Sequence, residues 1–516
     1  MNEWTIMVYM AGDNDLSEDM AKRLIEMRTI FDETSGAIKT KRIGLCAYFD
    51  GDNPMITTKR YNFGKGIQGI TIPGGRGSNS ADKLTIKDFV EWCVAKEGVE
   101  AEKYALFISG HGDGFQQTSF LRDVSQSDSI TVKEVKDVIE DINKTILRKS
   151  KLDLLAFDSC VMNTLEVANE FKGIVEVMVG SQGYLPTTGW SYQRIVDSLI
   201  LLDKNSKEIE GEEIAAALVS AAIESNEQYS EISRRSLDMS VYYPSDEKID
   251  AIMRELANLA TVLQNALLPQ SSAELESLKR KPVKKVLLNA HWKCQTFLLD
   301  QSVDIIDFCD NLRAECFGTM FQIGTTLKYA GVDLLEAAEN PGGDVSEVKI
   351  ASEISAEDQN KYADVLEVLG TLNGIATAAL NLRNRVDECV SKCCFSGPDY
   401  QFLNGLSLFF PWSRHTFDMV KSKMDDFTFK TSEWFKFLDE YLTDTCRPPR
   451  TLLLENKLSL LGYKLLADKS MFAAFTGRVM LDPPPKGLLV TNGQYKEYFM
   501  RTKNFPLNDT GFCPKP

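Results

Sequence analysis

Over the first ~250 residues, short β-branched and aromatic runs alternate with stretches whose apolar residues recur every three or four positions. That alternation constrains the fold more than any other feature of the chain. Strands separated by helix-length segments cannot pair as hairpins, so they build a mostly parallel sheet with helices on its faces. The strands expected are 5–10, 43–49, 104–109, 152–157, 175–180 and 239–243. Residues 57–72, "TTKRYNFGKGIQGITI", alternate around glycines and read as a hairpin beside the sheet.

Two of these strands end alike. "YALFISGHGDG" (104–114) stops at Gly110, His111 and Gly112, and "LDLLAFDSCVMN" (152–163) repeats the design with Cys160 in place of the histidine. Between them, Thr131 and Glu134 have the spacing of a capping box, and Val132, Val135, Val138, Ile139, Ile142 and Ile146 follow at helical intervals. A helix there makes the connection a right-handed parallel crossover. His111 and Cys160 are therefore expected at the same carboxyl edge of the sheet, where open α/β sheets bind ligands.

A thiol needs a base or a positive field to become a nucleophilic thiolate at neutral pH. His111 can take that proton and return it to a leaving amine. The amides of Gly112 and of Cys160, the latter read as lying at the mouth of the next helix, are the expected donors to an oxyanion. The chain has three histidines; His291 and His415 lack such a setting and read as structural or surface residues. No ligand-spaced set for zinc is present, and no metal site is expected.

Composition limits the alternatives. A 516-residue chain with 43% hydrophobic and 26% charged residues fits a globular protein of two or three domains. The net charge of −16 repels phosphate backbones, so nucleic acid is not an expected ligand, and a basic protein or peptide is the easier partner. No run approaches ~18 consecutive apolar residues, so no membrane association is expected. The opening "MNEWTIMVYMAG" has no basic n-region or cleavage site and reads as a first strand; a cytoplasmic location is expected. The eleven cysteines are scattered without CxxC pairs and read mostly as reduced and buried.

The pieces "WTIMVYMAGDNDL", "FISGHGDG", "LLAFDSCVMNTLEVA", "VGSQGYLPTTGWSY", "SLDMSVYYPSDEKIDAI", "SVDIIDF" and "GLSLFFPW" occur in the order in which they resemble the clostripain family of caspase-like cysteine peptidases. Cys160 also follows His111 by about 50 positions, as the cysteine follows the histidine in caspases. The resemblance implies a caspase-like three-layer α/β sandwich and a His111–Cys160 dyad that cleaves peptide bonds, with Gly112 and Cys160 amides forming the oxyanion hole. It further implies cleavage after Arg or Lys, the basic side chain being held by Asp158. A second family acid falls at Thr188 in "PTTGW", so this chain departs from the pattern there. Asp158 alone is expected to favour a cation, since a buried unpaired carboxylate is costly; its structural alternative is a cap on the following helix.

Many relatives mature by self-cleavage between the histidine and the cysteine, which makes Arg122, in the polar stretch 115–129, the candidate position; its alternative is a surface salt-bridging arginine. Some use calcium, but Asp13 and Asp15 in "AGDNDL" read more simply as a turn capping the first helix, and no cofactor is expected to be required.

The expected domains are a catalytic core over 1–245, a mainly helical region over 246–445 with a returning strand at 406–410, and a small appended module or tail over 446–516. A cysteine endopeptidase of this kind needs restraint, by self-cleavage or by a regulatory partner or activator. The alternatives are a catalytically weak caspase-like scaffold or binding protein, and an acyl transferase or amidase using the same pair.

Overall fold

The computed structural model describes residues 2–442 apart from short internal stretches, of which 53–57, 72–77, 268–272 and 340–344 are the longest. The module expected at 446–516 lies outside the described residues. Two compact units divide the chain: unit 1 comprises Met1–Ile249, Glu388–Leu408 and Val420–Phe429, and unit 2 the remainder.

Unit 1 is built on a sheet with nine strands among the described residues: β1 (Asn2–Gly12), β2 (Ile43–Gly51), β3 (Lys59–Asn62), β4 (Ile70–Thr71), β5 (Ala101–Ser109), β6 (Leu152–Asp158), β7 (Val175–Gly180), β8 (Leu237–Tyr242) and β9 (Val390–Ser396). Their order is β9-β8-β7-β6-β5-β1-β2-β3-β4. The five strands from β7 to β2 are mutually parallel, while β3, β4 and β8 pair antiparallel at the flanks. The expected hairpin is thus β3 and β4, and all six expected strands are present.

Helices cover both faces, which is why the central strands are apolar at nearly every position. From β1, Trp4, Ile6, Val8 and Met10 join a core with Met20 and Leu24 of α1 (Ser17–Met27) and with residues 192–199 and 214–223 of the helices Tyr192–Asn205 and Gly211–Ser233. On the other face, Tyr9 stacks on Tyr48 with ring centroids 4.5 Å apart beside Phe89, and Phe157 meets Phe171 of the helix Leu165–Phe171. The crossover helix Val132–Ile142 carries the expected capping box, with Glu134 N–H donating to Thr131 and Thr131 N–H to the Glu134 carboxylate. This is the three-layer α/β sandwich expected from the sequence.

Strand β9 was not foreseen. It belongs to a region read as helical, and it adds a strand to the sheet by pairing with β8. The returning strand is Ser407–Phe409, and Ser407 N–H donates to the carbonyl of Asn163, three residues beyond Cys160.

Unit 2 is mainly helical, with most of Asp246–Leu267 and the helices Ala273–Lys293, Ile305–Tyr329 and most of Ala363–Cys389. The last is long and apolar enough by composition to cross a membrane, and 44% of its apolar window is buried; Leu369, Leu372, Ile375 and Leu382 of this helix are buried. His291 is buried with its ring stacked between Phe410 and Trp412, and His415 is exposed. Each of the nine described cysteines is a free thiol, and six of them are buried.

Candidate active site

Register brings the two motifs together. Strands β5 and β6 pair Ser109 with Asp158, so His111 and Cys160 each lie two residues beyond the same rung. Adjacent strands are ~4.8 Å apart, and both loops leave the same edge. Their contact is tight: a Cβ on Gly112 would lie 2.5 Å from the carbonyl oxygen of Cys160 and 2.9 Å from its nitrogen. A Cβ on Gly114, whose φ is +57°, would lie 2.6 Å from the carbonyl of Val161. Only glycine fits either position.

The turn after Cys160 is strained. Val161 has φ +61°, a conformation a β-branched residue rarely adopts, and its N–H donates to the Gly183 carbonyl at 2.9 Å. The next helix starts only at Leu165, capped by Thr164. The Cys160 amide is therefore not at a helix mouth, as the sequence reading had it, and Asp158 does not cap that helix. Among the described residues, the Gly112 and Cys160 amides donate to no protein acceptor. Cys160 lines the cavity that holds His111, and Gly112 is not among its lining residues.

His111 and Cys160 line one cavity of about 120 Å³, together with Asp158, Arg23, Leu185 and Thr188. The imidazole Nε2 pairs with Asp15 Oδ1 at 2.6 Å, which holds the Asp15 carboxyl below its ordinary range. Of the two caps expected for the first helix, Asp15 or the adjacent turn, the side chain of Asp15 is not one: Leu16 is the N-cap residue of α1, without a side-chain cap, and Asn14 makes the adjacent turn by accepting from Leu16 N–H. β1 runs beside β5, with Met10 opposite Ser109, and so delivers Asp15 to His111.

The thiol of Cys160 is half-buried, and Sγ accepts from Leu185 N–H at 3.2 Å. Burial pushes its pKa up; the Leu185 amide opposes this, while the charges of Asp158, Asp238 and Asp113 add to it. Asp238, buried and itself pushed up to about 6 by burial, accepts from Ser181 Oγ and from the N–H groups of Gln182 and Gly183, shaping the turn that leads to Leu185.

Asp158 is buried, but it is not unpaired, contrary to the argument from sequence. It accepts from Ser109 Oγ at 2.9 Å, Trp190 N–H at 3.2 Å and Tyr192 Oη at 3.3 Å. Burial raises its pKa to about 6 against these donors and the Arg23 charge. Thr188 lies on the same cavity wall, and its carbonyl accepts from Arg23 Nε at 2.6 Å. Arg23 also pairs with Glu26. The sequence reading missed Asp15, Arg23, Glu26 and Leu185.

Arg122 has an exposed side chain, but its carbonyl accepts from Asn14 Nδ2 at 2.8 Å, and both neighbours, Leu121 and Asp123, are buried. A cut after Arg122 requires this segment to open.

No group of three or more His, Cys, Asp or Glu among the described residues is arranged to hold a metal ion. Two acids near the site, Asp50 and Asp123, already have donors on their carboxylates. Asp123 is filled by Ser80 N–H, Ser80 Oγ and Gln126 N–H, and Asp50 by Thr58 and Tyr48 hydroxyls, with its pKa raised to about 7 by burial. Hydrogen-bond donors occupy the oxygens that a cation would need.

An α/β sandwich with a thiol and an imidazole on adjacent strand ends has the architecture of the caspase-like cysteine peptidases. The Clostripain family profile matches residues 8–386, and the chain belongs to that family of cysteine proteases. It is 22% identical over 312 residues to the clostripain of Hathewaya histolytica, a match covering 53% of this chain and 58% of that protein. The chain thus spans less than two thirds of the curated relative's length. Among solved structures, it is similar to an inactive zymogen C11 protease from Parabacteroides distasonis (15% identity, 85% of this chain and 99% of that one, TM-score 0.48). A secreted C11 cysteine protease from Bacteroides thetaiotaomicron, in complex with an irreversible peptide inhibitor, matches at 14% identity over 72% of this chain and 99% of that one, with TM-score 0.43.

Proposed function

We propose that the chain is a cysteine endopeptidase in which His111 is the base, Cys160 the nucleophile, and the Gly112 and Cys160 amides the oxyanion donors. The observation that carries this reading is the Ser109–Asp158 rung, which brings an imidazole and a thiol from different motifs to one cavity. His111 removes the thiol proton as Sγ attacks the substrate carbonyl. The carbonyl π electrons move onto oxygen between the two amides, and the proton then goes to the leaving amine, giving an acyl-enzyme that water hydrolyses.

Cleavage after Arg or Lys belongs to the same proposal and rests on Asp158, whose buried carboxylate is largely ionised above pH ~6. So does latency: burial disfavours the Cys160 thiolate, and a partner or self-cleavage would release it. No metal is assigned a step. The test is cleavage of a mixed peptide pool by the protein and by Cys160→Ala, read by mass spectrometry. Cuts after Arg or Lys that vanish in the variant support the whole reading. Cuts after other residues remove the basic specificity. Silence from both, including after limited proteolysis between residues 115 and 129, favours the scaffold reading that the raised thiol pKa also suits.

A further inference from the structure

The lining of the cavity that holds the thiol carries a cation that the proposed reaction does not use. Arg23 projects from α1 into the lining shared by this cavity and a second, polar cavity of about 750 Å³. Its side chain is 17% exposed, its Nε donates to the Thr188 carbonyl at 2.6 Å, and its Nη1 is paired with Glu26. Glu26, which lines the second cavity and not the first, in turn accepts from Gln193 N–H at 3.3 Å, which fixes its carboxylate behind Arg23. A backbone carbonyl, a carboxylate and the nearby Asp158 together make a seat matched to a guanidinium, and a guanidinium of the chain itself fills it.

We propose that Arg23 is a specificity-determining residue: it occupies the seat formed by Thr188, Glu26 and Asp158 that the basic side chain of a substrate must share, with Glu26 as the second acid of that subsite. This rests on the reading of the site as a peptidase that cuts after Arg or Lys. A substrate cation approaching Asp158 meets a fixed like charge, and its best route to Glu26 is to displace Arg23. Basic substrates are therefore bound more weakly than Asp158 and Glu26 would otherwise allow, and other side chains are penalised less.

The experiment measures kcat/KM for two peptides that differ only in Arg or Leu before the cut. The enzymes are the full-length protein and its Arg23→Ala, Arg23→Gln, Glu26→Gln and Arg23→Ala/Glu26→Gln variants, each checked by thermal melting. Removing a like charge within several ångströms in a partly buried site is expected to raise the Arg/Leu ratio about tenfold, through KM. Arg23→Gln should do the same if the alanine variant does not fold, and the double variant should lose most of the gain. An unchanged ratio in a folded Arg23 variant, or a gain that survives the loss of Glu26, overturns the inference while leaving cleavage after basic residues standing. If none of the proteins cuts after Arg or Lys, both fall. N-acetyl-argininamide titrated into Cys160→Ala, with and without Arg23→Ala, gives the same reading without turnover: tighter binding in the double variant supports the seat, and equal affinity overturns it.

Discussion

Replacing Gly112 with alanine forces a new methyl group against the backbone of the nucleophile. At the present geometry that Cβ would stand 2.5 Å from the Cys160 carbonyl oxygen, 2.8 Å from Ser159 Cβ and 2.9 Å from Cys160 N. Reaching an ordinary contact of ~3.4 Å requires the two loops to separate by about 0.9 Å. The obstacles are main-chain atoms and a β-carbon, so no rotamer change relieves them. Overpacking of this kind costs ~1–3 kcal/mol, a fall of several degrees in the melting temperature of a unit this size. Activity should suffer more, because a displacement near 1 Å between reacting groups costs ~10²-fold in rate. The assay is kcat/KM on the best peptide beside a thermal melt. Gly110→Ala serves as a control, since its Cβ would meet Leu121 Cδ2, a side-chain methyl, at 2.7 Å. A folded Gly112→Ala protein within twofold of wild-type turnover refutes the reasoning, because it would show that the loops can part without disturbing the chemistry.

Asp15→Asn should lower kcat/KM by less than tenfold, with the difference shrinking at high salt, because the Asp15 side chain is 79% exposed and its pairing with His111 is screened; a loss as large as that of His111→Ala would contradict this. The Asp158 carboxyl has a folded pKa of about 6 against 3.8, so its protonated form favours the fold: that contribution is present below pH ~4 and is lost as pH rises through 6, up to about 3 kcal/mol. Urea midpoints at pH 4.5 and 7 should accordingly differ less in Asp158→Asn than in wild type, and equal differences would count against it. Asn14→Ala frees the Arg122 carbonyl and should speed any Cys160-dependent cut there, as followed by gel; an unchanged rate would show that opening of the segment is not limiting.

What the sequence made legible depended on how local the signal was. The strands were readable because burial on both faces demands continuous apolar runs, and the crossover helix because its capping box and apolar spacing agree. His111 and Cys160 were readable because each follows a run that ends in small residues, and sheet topology does the rest. Strand β9 was not, because "VSKCCFS" at the sheet edge is mostly half-buried and directly continues the helix Ala363–Cys389. Asp15 lies 96 residues before His111, and nothing in "AGDNDL" signals that pairing. Arg23 and Glu26, three residues apart on an amphipathic helix, look like any surface ion pair until Thr188 is seen beside them. The donors to Asp158 are Ser109, 49 residues earlier, and Trp190 and Tyr192, more than 30 residues later, so nothing local in the sequence shows that the carboxylate is paired.

The same geometry couples binding to nucleophilicity. Asp158, Asp238 and Asp113 all raise the Cys160 pKa beyond what burial alone does, so the thiolate is disfavoured in part by the acid, Asp158, that would attract a basic substrate. A cation bound against Asp158 cancels part of that field. At several ångströms and an effective dielectric constant near 20, one added positive charge is worth about ten- to hundredfold in thiolate population. The substrate's own side chain would then supply a share of the activation that the resting enzyme lacks. Alkylation of Cys160 by iodoacetamide at neutral pH reads this directly, since its rate follows the thiolate fraction. Saturating N-acetyl-argininamide should accelerate the labelling, and N-acetyl-leucinamide should not. Equal rates with both would mean that Asp158 and Cys160 are electrostatically uncoupled, and that release of the thiol depends on Leu185 and His111 alone.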